Sequence, residues 1–222
     1  MNSDELIRSL ATDLRRVRRL RDVEGRTLLW AAFALACVSI GTAVIGHRSD
    51  LSDRLRDPTY LVENGSLLLM FVVSARSAFQ LSIPGMERGR VTRTLPVVGL
   101  LLWVSLIAVR LVPGASPPAS QPGVMCVERM TGLALAPAVA LLAMLRRAAP
   151  LRRGWAGVCA LLAAGSLAML GTQMLCMRDE PRHVFVWHVG PVVAAALVGA
   201  GLGKLFLSRR AAGRRPPAAP AS

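Results

Sequence analysis

The chain has 222 residues, of which 53% are hydrophobic, and its mean hydropathy is +0.47. It also carries 27 Lys and Arg residues against 13 Asp and Glu, which gives a formal net charge of +14. Such an apolar and basic composition indicates a membrane protein whose cations lie in its loops. It argues against direct nucleic-acid binding, because the arginines flank long apolar runs and do not line one soluble face.

The first 26 residues predict a cytoplasmic amphipathic segment. Apolar side chains recur every three to four residues over about Asp4–Leu20, which is the spacing of one helical face. The positions on this face are Leu6, Leu10, Leu14 and Val17. Acidic residues begin the segment and arginines crowd its end, as the helix dipole favours. The pattern leaves two interpretations open: the face lies on an anionic lipid surface, or it docks into a groove of a partner protein.

Six apolar stretches are each long enough to cross a bilayer, which takes roughly 20 residues. The sequence therefore predicts an all-α integral membrane bundle of six transmembrane helices over residues 27–207, followed by a disordered basic cytoplasmic tail at 208–222. The predicted spans are Thr27–Gly46, Tyr60–Ile83, Leu95–Val112, Val127–Leu145, Trp155–Leu175 and Val184–Leu207. The second span contains four polar residues, so we expect its boundaries to be the least accurate.

The cations are distributed unequally between the two sides of the membrane. With the N-terminus inside, the inside segments carry 19 Lys and Arg residues and the outside segments carry 6. The positive-inside rule therefore predicts a multi-pass inner-membrane protein with both termini in the cytoplasm.

Two ionisable residues are predicted to lie near the outer face within or beside the spans. Glu63 begins span two from outside, and Arg110 closes span three. An ionisable residue in a span is costly and is by default a functional candidate. The alternative is that Glu63 and Arg110 simply pair near the interface.

The cysteines divide into two groups. Cys126 precedes span four and Cys176 follows span five, so both are predicted to face an oxidising compartment. This pair has three open interpretations: a structural disulfide, a redox sensor, or a site for a thiophilic metal ion. His183 and His188 could add nitrogen ligands, but their i, i+5 spacing is poor for one helical face. The other two cysteines lie inside spans, where packing is the expected role.

Catalytic motifs are missing from the sequence. It contains no CxxC, HExxH or GxSxG motif and no phosphate-binding loop. The spans also carry little charge at mid-depth, so a proton or ion pathway has no evident carriers. The sequence therefore predicts a protein that is not an enzyme, with a membrane thiol–disulfide redox protein and a small transporter as alternatives. It indicates no oligomeric state.

Several short motifs follow one another from about residue 4 to residue 207. They are the leucine pattern of the N-terminal segment, Asp57-Pro58 with Glu63, Ala78-Phe79 through Pro84-Gly85, Cys126 with Pro137, Leu145 through Arg152, and Cys176 with His183 and Trp187-His188. In this order and spacing the chain resembles the NrsF-type negative regulators of sigma factors, which are small six-span bacterial membrane proteins.

The resemblance implies an anti-sigma factor. Such a protein holds an extracytoplasmic-function sigma factor at the inner membrane and releases it on a periplasmic stress signal, often a metal or an oxidant. Carried over by position, Cys126 and Cys176 would be the sensing residues. From its own residue pattern, the N-terminal apolar face is expected to be the sigma-factor-binding element, and a thiophilic metal ion would be the signal rather than a cofactor.

Overall fold

The computed structural model describes residues 2–12, 22–83, 85–86, 89–111, 123–148 and 150–208. All regular secondary structure in these residues is helical, as predicted. The helices are α1 (Ser3–Thr12), α2 (Val23–Ile45), α3 (Leu51–Arg54), α4 (Pro58–Gln80), α5 (Arg90–Val109), α6 (Val124–Ala148), α7 (Arg153–Gln173), α8 (Pro181–Val184) and α9 (Gly190–Phe206), and a π-helical turn at Phe185–Val189 joins α8 to α9.

Six helical segments of the described residues are long and apolar enough to cross a membrane, so the chain is a multi-pass helical bundle, as predicted. They are α2, α4, α5, α6, α7 and the continuous segment Pro181–Phe206. Asp22 caps α2 by accepting a 3.0 Å hydrogen bond from the Gly25 backbone N–H. Asp57 caps α4 in the same way, and Pro58 occupies the first turn, where its missing N–H costs nothing.

The observed helix ends differ from the predicted span ends more at the third span than at the second. The predicted second span was expected to be the least accurate, but α4 begins only two residues before it and ends three residues before it. The third span differs more, because α5 begins at Arg90, five residues ahead of the predicted Leu95. Arginine stems can pack on apolar surface while the guanidinium reaches water, so a hydropathy count ends a helix too early at such residues.

Helix α7 forms the centre of the bundle. It contacts α2, α4, α6 and α9, and most of its side chains are buried. Transmembrane helices associate through close van der Waals packing, which small residues permit. The small buried side chains of α7 include Ala156, Ala160, Ala163, Ala164 and Ala168.

Helices α7 and α9 approach each other most closely at a set of glycines. A methyl group at Gly157 would lie 2.0 Å from the carbonyl oxygen of Gly199, and one at Gly203 would lie 2.2 Å from the carbonyl oxygen of Arg153. Both neighbours are backbone atoms of packed helices and cannot turn aside. The contact therefore requires glycine.

The bundle has two distinct ends. We call one of them the site end. Helices α2 and α7 end there, and helices α6 and α8 begin there. At the opposite end Arg26, in the first turn of α2, is buried and donates to the Ser82 hydroxyl (3.1 Å) and to the Met144 carbonyl (3.4 Å). Its guanidinium lies 4.7 Å from the centre of the Phe79 ring. Arg26 thus ties the start of α2 to the ends of α4 and α6.

The N-terminal segment is helical over Ser3–Thr12, with two acidic residues in its first turn. Leu6 and Ile7 are 43% and 63% exposed. The predicted helix was longer, but residues 13–21, including Leu14 and Val17, lie outside the described residues, as does the side chain of Leu10. Residues 209–222 of the tail also lie outside them, so the proposed domain boundaries stay predictions.

Candidate functional site

Four sulfur- and nitrogen-bearing side chains meet at the site end. Cys126 is the third residue of α6, Cys176 lies in the loop of residues 174–180, His183 lies in α8, and His188 lies in the π-helical turn. All four are buried, and one ligand atom from each lies within 4.8 Å of the others. We call these four residues the Cys–His cluster and residues 174–180 the sensor loop.

The contacts within the Cys–His cluster are short. The two cysteine sulfurs lie 3.4 Å apart, and the Nε2 atom of His183 lies 3.6 Å from the sulfur of Cys126 and 3.8 Å from that of Cys176. The rings of His183 and His188 pack edge to face with their centres 5.3 Å apart. The structure thus brings together the four residues that the sequence named as metal-ligand candidates.

The π-helical turn explains how two histidines five residues apart reach one site. In an α-helix a five-residue step turns the side chain about 140° away from the first position, which is why the spacing looked unfavourable. Here the Gly190 N–H donates to the Phe185 carbonyl, five residues back, and this wider turn returns His188 to the face of His183. Pro191 follows directly and has no N–H to complete an ordinary helical turn at this point.

The donor set fits a soft divalent metal ion. A tetrahedral zinc site has Zn–S bonds of about 2.3 Å and Zn–N bonds of about 2.0–2.1 Å, which separates its donor atoms by roughly 3.3–3.8 Å. The three distances within the Cys–His cluster fall in that range. Both ring nitrogens of His188 are buried and make no hydrogen bond in the described part of the chain. Buried polar atoms nearly always have a partner, so a bound ligand would satisfy this side chain.

The local electrostatics favour a thiolate. A hydrogen bond from Cys126 lowers the pKa of Cys176 and outweighs the desolvation that raises it. The thiolate is the form that binds metals and attacks oxidants. The two sulfurs are in contact but not bonded, since a disulfide would bring them to about 2.05 Å.

A glycine covers the Cys–His cluster, and the sequence analysis did not identify it. Gly123 precedes α6, and a methyl group there would lie 2.4 Å from Cγ of Trp187 and 2.8 Å from Cε1 of His183. Any larger residue at position 123 would displace the indole or the imidazole. The only sequence signal was a glycine three residues before a cysteine. That spacing predicts no contact unless the position of the segment with His183 and Trp187 is known.

A network of charges holds the sensor loop. Arg48 donates to both carboxylate oxygens of Asp179, at 2.9 and 2.6 Å, and to both oxygens of Asp50, at 2.6 and 2.9 Å. Arg54 pairs with Asp179 as well, at 2.5 Å. These residues, together with Glu63 and Arg110, are here named the charge cluster.

The predicted pair of Glu63 and Arg110 is part of this charge cluster. Arg110 forms an ion pair with Glu63 and also donates to the backbone carbonyl of Asp179 at 3.2 Å. The pair therefore joins α4 and α5 to the sensor loop. The N-terminal segment, in contrast, precedes α2 in the chain, and α2 begins at the opposite end of the bundle.

The charges within the cluster stabilise one another. The hydrogen bonds that Arg48 donates to Asp179 and Asp50 raise the pKa of Arg48, and Arg48 lowers the pKa of Asp50. The sequence did not identify Arg48, Asp50 and Asp179. Arg48 and Asp179 lie in loops 131 residues apart, and these loops share no sequence motif. The available signal was weak: an aspartate three residues after a cysteine that is itself a candidate.

Fold and site together define a multi-pass helical membrane protein with a buried thiol–imidazole cluster at one end. The chain belongs to the NrsF family, described as negative regulator of sigma F, whose family model matches residues 10–208. This match confirms the resemblance found in the sequence, makes a sigma factor the partner, and favours a regulator over an enzyme. Comparisons with curated proteins and with solved structures found no match.

Proposed function

We propose that this chain sequesters an extracytoplasmic-function sigma factor at the bacterial inner membrane and releases it when a thiophilic metal ion binds the Cys–His cluster. The observation that carries the proposal is the cluster itself, in which two cysteines and two histidines are buried within 4.8 Å of one another. Packing alone does not require such a set, because an apolar side chain would fill each position at lower desolvation cost.

The orientation gives the two ends of the bundle different roles. The segments on the same side of the membrane as the N-terminus carry 19 Lys and Arg residues, and those on the other side carry 6. This excess supports a cytoplasmic N-terminus and a periplasmic site end. The cluster would then meet signals from the periplasm. The N-terminal segment would meet a soluble partner in the cytoplasm.

The N-terminal segment is the proposed binding element for the sigma factor. Leu6 in α1 is half-exposed, and with Leu10, Leu14 and Val17 it would supply the anchors that an amphipathic helix lays into a hydrophobic groove. The acidic first turn favours a protein over anionic lipid, because Asp4 and Glu5 would be repelled by the lipid headgroups.

The cluster is arranged to convert ligand binding into a change of packing. Its residues come from α6, from the sensor loop and from the α8–α9 segment, so closing four donors around one ion changes how these elements meet. A signal crosses the membrane only if the ion binds one arrangement of the bundle better than another. Coupling of this kind is typically worth about 1–3 kcal/mol.

The test uses the full chain in detergent, co-expressed in turn with each extracytoplasmic-function sigma factor of the same organism. We expect one such sigma factor to co-purify with the chain. We expect added Zn²⁺ to bind at one ion per chain, and we expect this binding to release the sigma factor. Metal content is measured by elemental analysis and release by fluorescence anisotropy of the labelled sigma factor. Failure of every such sigma factor to co-purify would exclude the proposed function.

Cysteine variants identify the site within the same assay. Cys126→Ser and Cys176→Ser should keep the sigma factor bound and lose the response to Zn²⁺. Cys37→Ser is the matched control, because Cys37 is a half-buried residue of α2 outside the cluster. An unchanged response in both cluster variants would reduce these two cysteines to a structural role.

One observation also favours an oxidant as the signal. The 3.4 Å contact between the two sulfurs allows them to form a disulfide as a peroxide takes up the two electrons and two protons and leaves as water. The chain would then lose about 2 Da, whereas metal binding would add the mass of the ion. Both cysteines are buried, which disfavours repeated exchange with a protein substrate and hence a thiol–disulfide enzyme.

A further inference from the structure

Arg48 joins the sensor loop to the end of α2. Its side chain has 0% exposure, and its guanidinium is held between the carboxylates of Asp50 and Asp179. Its backbone N–H donates to the Met174 carbonyl at 2.9 Å, at the start of the sensor loop. Cys176 therefore lies between two points, at residues 174 and 179, that are both fastened to the same arginine.

The link between Arg48 and α2 is short. Helix α2 ends at Ile45, and Gly46 caps it with φ +93°, a conformation that favours glycine. The Gly46 N–H still donates to the Thr42 carbonyl, so the turn continues the hydrogen bonding of the helix. Arg48 follows two residues later. A displacement of Arg48 is thus passed on to the last turn of α2.

Helix α2 is the span that follows the N-terminal segment in the chain, and it ends at the site end. Its 23 residues extend about 34 Å without an internal proline, and residue 22 joins it to the N-terminal segment. Helices α5 and α6 contain Pro96 and Pro137, and the last span contains the π-helical turn. Among the described helices, α2 alone runs from the site end directly into the N-terminal segment.

We infer that Arg48 is the positioning residue that couples the sensor loop to α2, and that α2 carries the signal to the partner-binding segment. This inference rests on the proposed function. When the Cys176 sulfur adjusts to a bound ion, or closes from 3.4 Å to the about 2.05 Å of a disulfide, the sensor loop moves with it. Charge-assisted bonds to a buried guanidinium are costly to break, so α2 follows the loop.

At the other end of α2, the contacts of Arg26 can rearrange at a lower cost. Arg26 contacts a hydroxyl, a carbonyl and an aromatic ring, and no carboxylate among the described residues reaches it. Hydrogen bonds to neutral acceptors are weaker than those to carboxylates, and one of these is long, at 3.4 Å. The ion pair of Glu24 with Arg76 also holds this end of α2, but its side chains are 58% and 55% exposed, and exposed pairs contribute little. A shift of α2 therefore costs less at this end than at Arg48.

The experiment separates binding, capture and release in the full chain. Arg48→Gln removes the two-pronged contact, and Asp179→Asn removes its charge with almost no change of shape. We expect both variants to bind Zn²⁺ within about threefold of the unchanged protein and to capture the sigma factor normally. Zn²⁺-triggered release should fall by at least about tenfold, the loss of roughly 1.4 kcal/mol of coupling. A purely structural role would instead weaken metal binding or capture.

Two further variants make the outcome decisive. Arg56→Gln is the matched control, since Arg56 lies in the same outer loop, is 83% exposed and pairs with Asp53. The double variant Arg48→Asp with Asp179→Arg restores an opposite-charge pair and should recover part of the release. Normal release in both Arg48→Gln and Asp179→Asn would overturn the inference, as would loss of metal binding together with release.

A readout without the sigma factor keeps this inference distinct from the proposed function. Hydrogen exchange of residues 2–12 and 22–28 should change on addition of Zn²⁺ in the unchanged protein and stay constant in Arg48→Gln. If that difference is present while no sigma factor is captured, the proposed partner is wrong and the coupling through Arg48 stands. If exchange in the two proteins responds alike, the coupling role of Arg48 is wrong.

Discussion

The two ends of α2 are each fastened by a buried arginine, but the surroundings of these arginines differ. Arg48 at the site end is held by two carboxylates and belongs to a charge cluster that reaches three other segments. Arg26 at the opposite end is held by a hydroxyl, a carbonyl and the face of Phe79. The same residue type thus makes one rigid attachment and one that can rearrange.

This difference shows why burial alone is a poor measure of what an arginine does. Removing one member of a buried ion pair leaves the other charge without compensation, which costs far more than the pair contributes. An arginine among neutral acceptors leaves no charge behind when it is removed. The same substitution at the two positions should therefore have very different effects, and the following predictions compare them from the largest effect to the smallest.

Arg48→Met should cause the largest loss of stability. The methionine fills a similar volume but leaves Asp50 and Asp179 without their main cation, and Asp179 is mostly buried. We expect the free energy of unfolding to fall by about 3 kcal/mol or more, as for other broken buried pairs. Denaturation with SDS, followed by circular dichroism in mixed micelles, measures it. A change below about 1 kcal/mol would contradict the view of Arg48 as a rigid attachment.

Gly157→Ala should have the next largest effect, and it acts through packing without any charge. The added methyl group would lie 2.0 Å from the Gly199 carbonyl oxygen, so α7 and α9 must separate. Overpacking of this kind typically costs about 1–3 kcal/mol. The same SDS titration measures the loss, with Gly201→Ala as the control because a methyl group at Gly201 meets nothing within 4 Å. Equal stability of both variants would show that the helices separate without cost.

Arg26→Met should change the free energy of unfolding by less than about 1 kcal/mol. Replacing a buried charge by an apolar side chain of similar volume is often neutral when no opposite charge is left behind. The Ser82 hydroxyl keeps a partner in this variant, since it donates to the Phe79 carbonyl at 2.6 Å. If the variant loses as much stability as Arg48→Met, the distinction between the two ends of α2 is wrong.

Acidification should loosen the site end first. Arg48 lowers the pKa of Asp50 below its ordinary value of 3.8, so the stabilisation is complete above pH 3.8 and is lost as the pH falls through the lowered pKa. Hydrogen exchange of residues 47–57, corrected for the intrinsic rate, should therefore rise below pH 3.8. Residues 77–83 beside Arg26 serve as the reference and should keep their protection over the same range. An equal rise in both segments would point to global unfolding.

The broad architecture could be predicted from sequence because hydropathy decides which segments enter a bilayer. Six long apolar stretches, separated by polar and proline-rich segments, predict six spans, and the part of the chain that the structure describes has six helical segments long and apolar enough to cross a membrane. Span parity then places Cys126 and Cys176 at the same end, where they are 3.4 Å apart. Their metal-binding role and the partner role of Leu6 and its neighbours stay predictions.

Other features of the site could not be predicted, because they depend on which segments meet in space. The pairing of Arg48 with Asp179 joins loops 131 residues apart, and nothing in either loop indicates the other. The closeness of Gly123 to Trp187 is equally invisible until both helix ends are placed. The meeting of His183 and His188 was judged unfavourable because the reasoning assumed an ordinary α-helix throughout.

The π-helical turn makes the number of residues between the two histidines as important as their identity. Deleting one residue between the histidines would leave an i, i+4 pair, which a continuous α-helix holds on one face, about 40° apart, whereas inserting one would leave an i, i+6 pair, about 120° apart in an α-helix. A substitution such as Val186→Ala keeps that spacing. An insertion in this stretch is thus more damaging than a single deletion or an exchange. Searches for paired ligands should admit a five-residue step wherever Gly-Pro follows it.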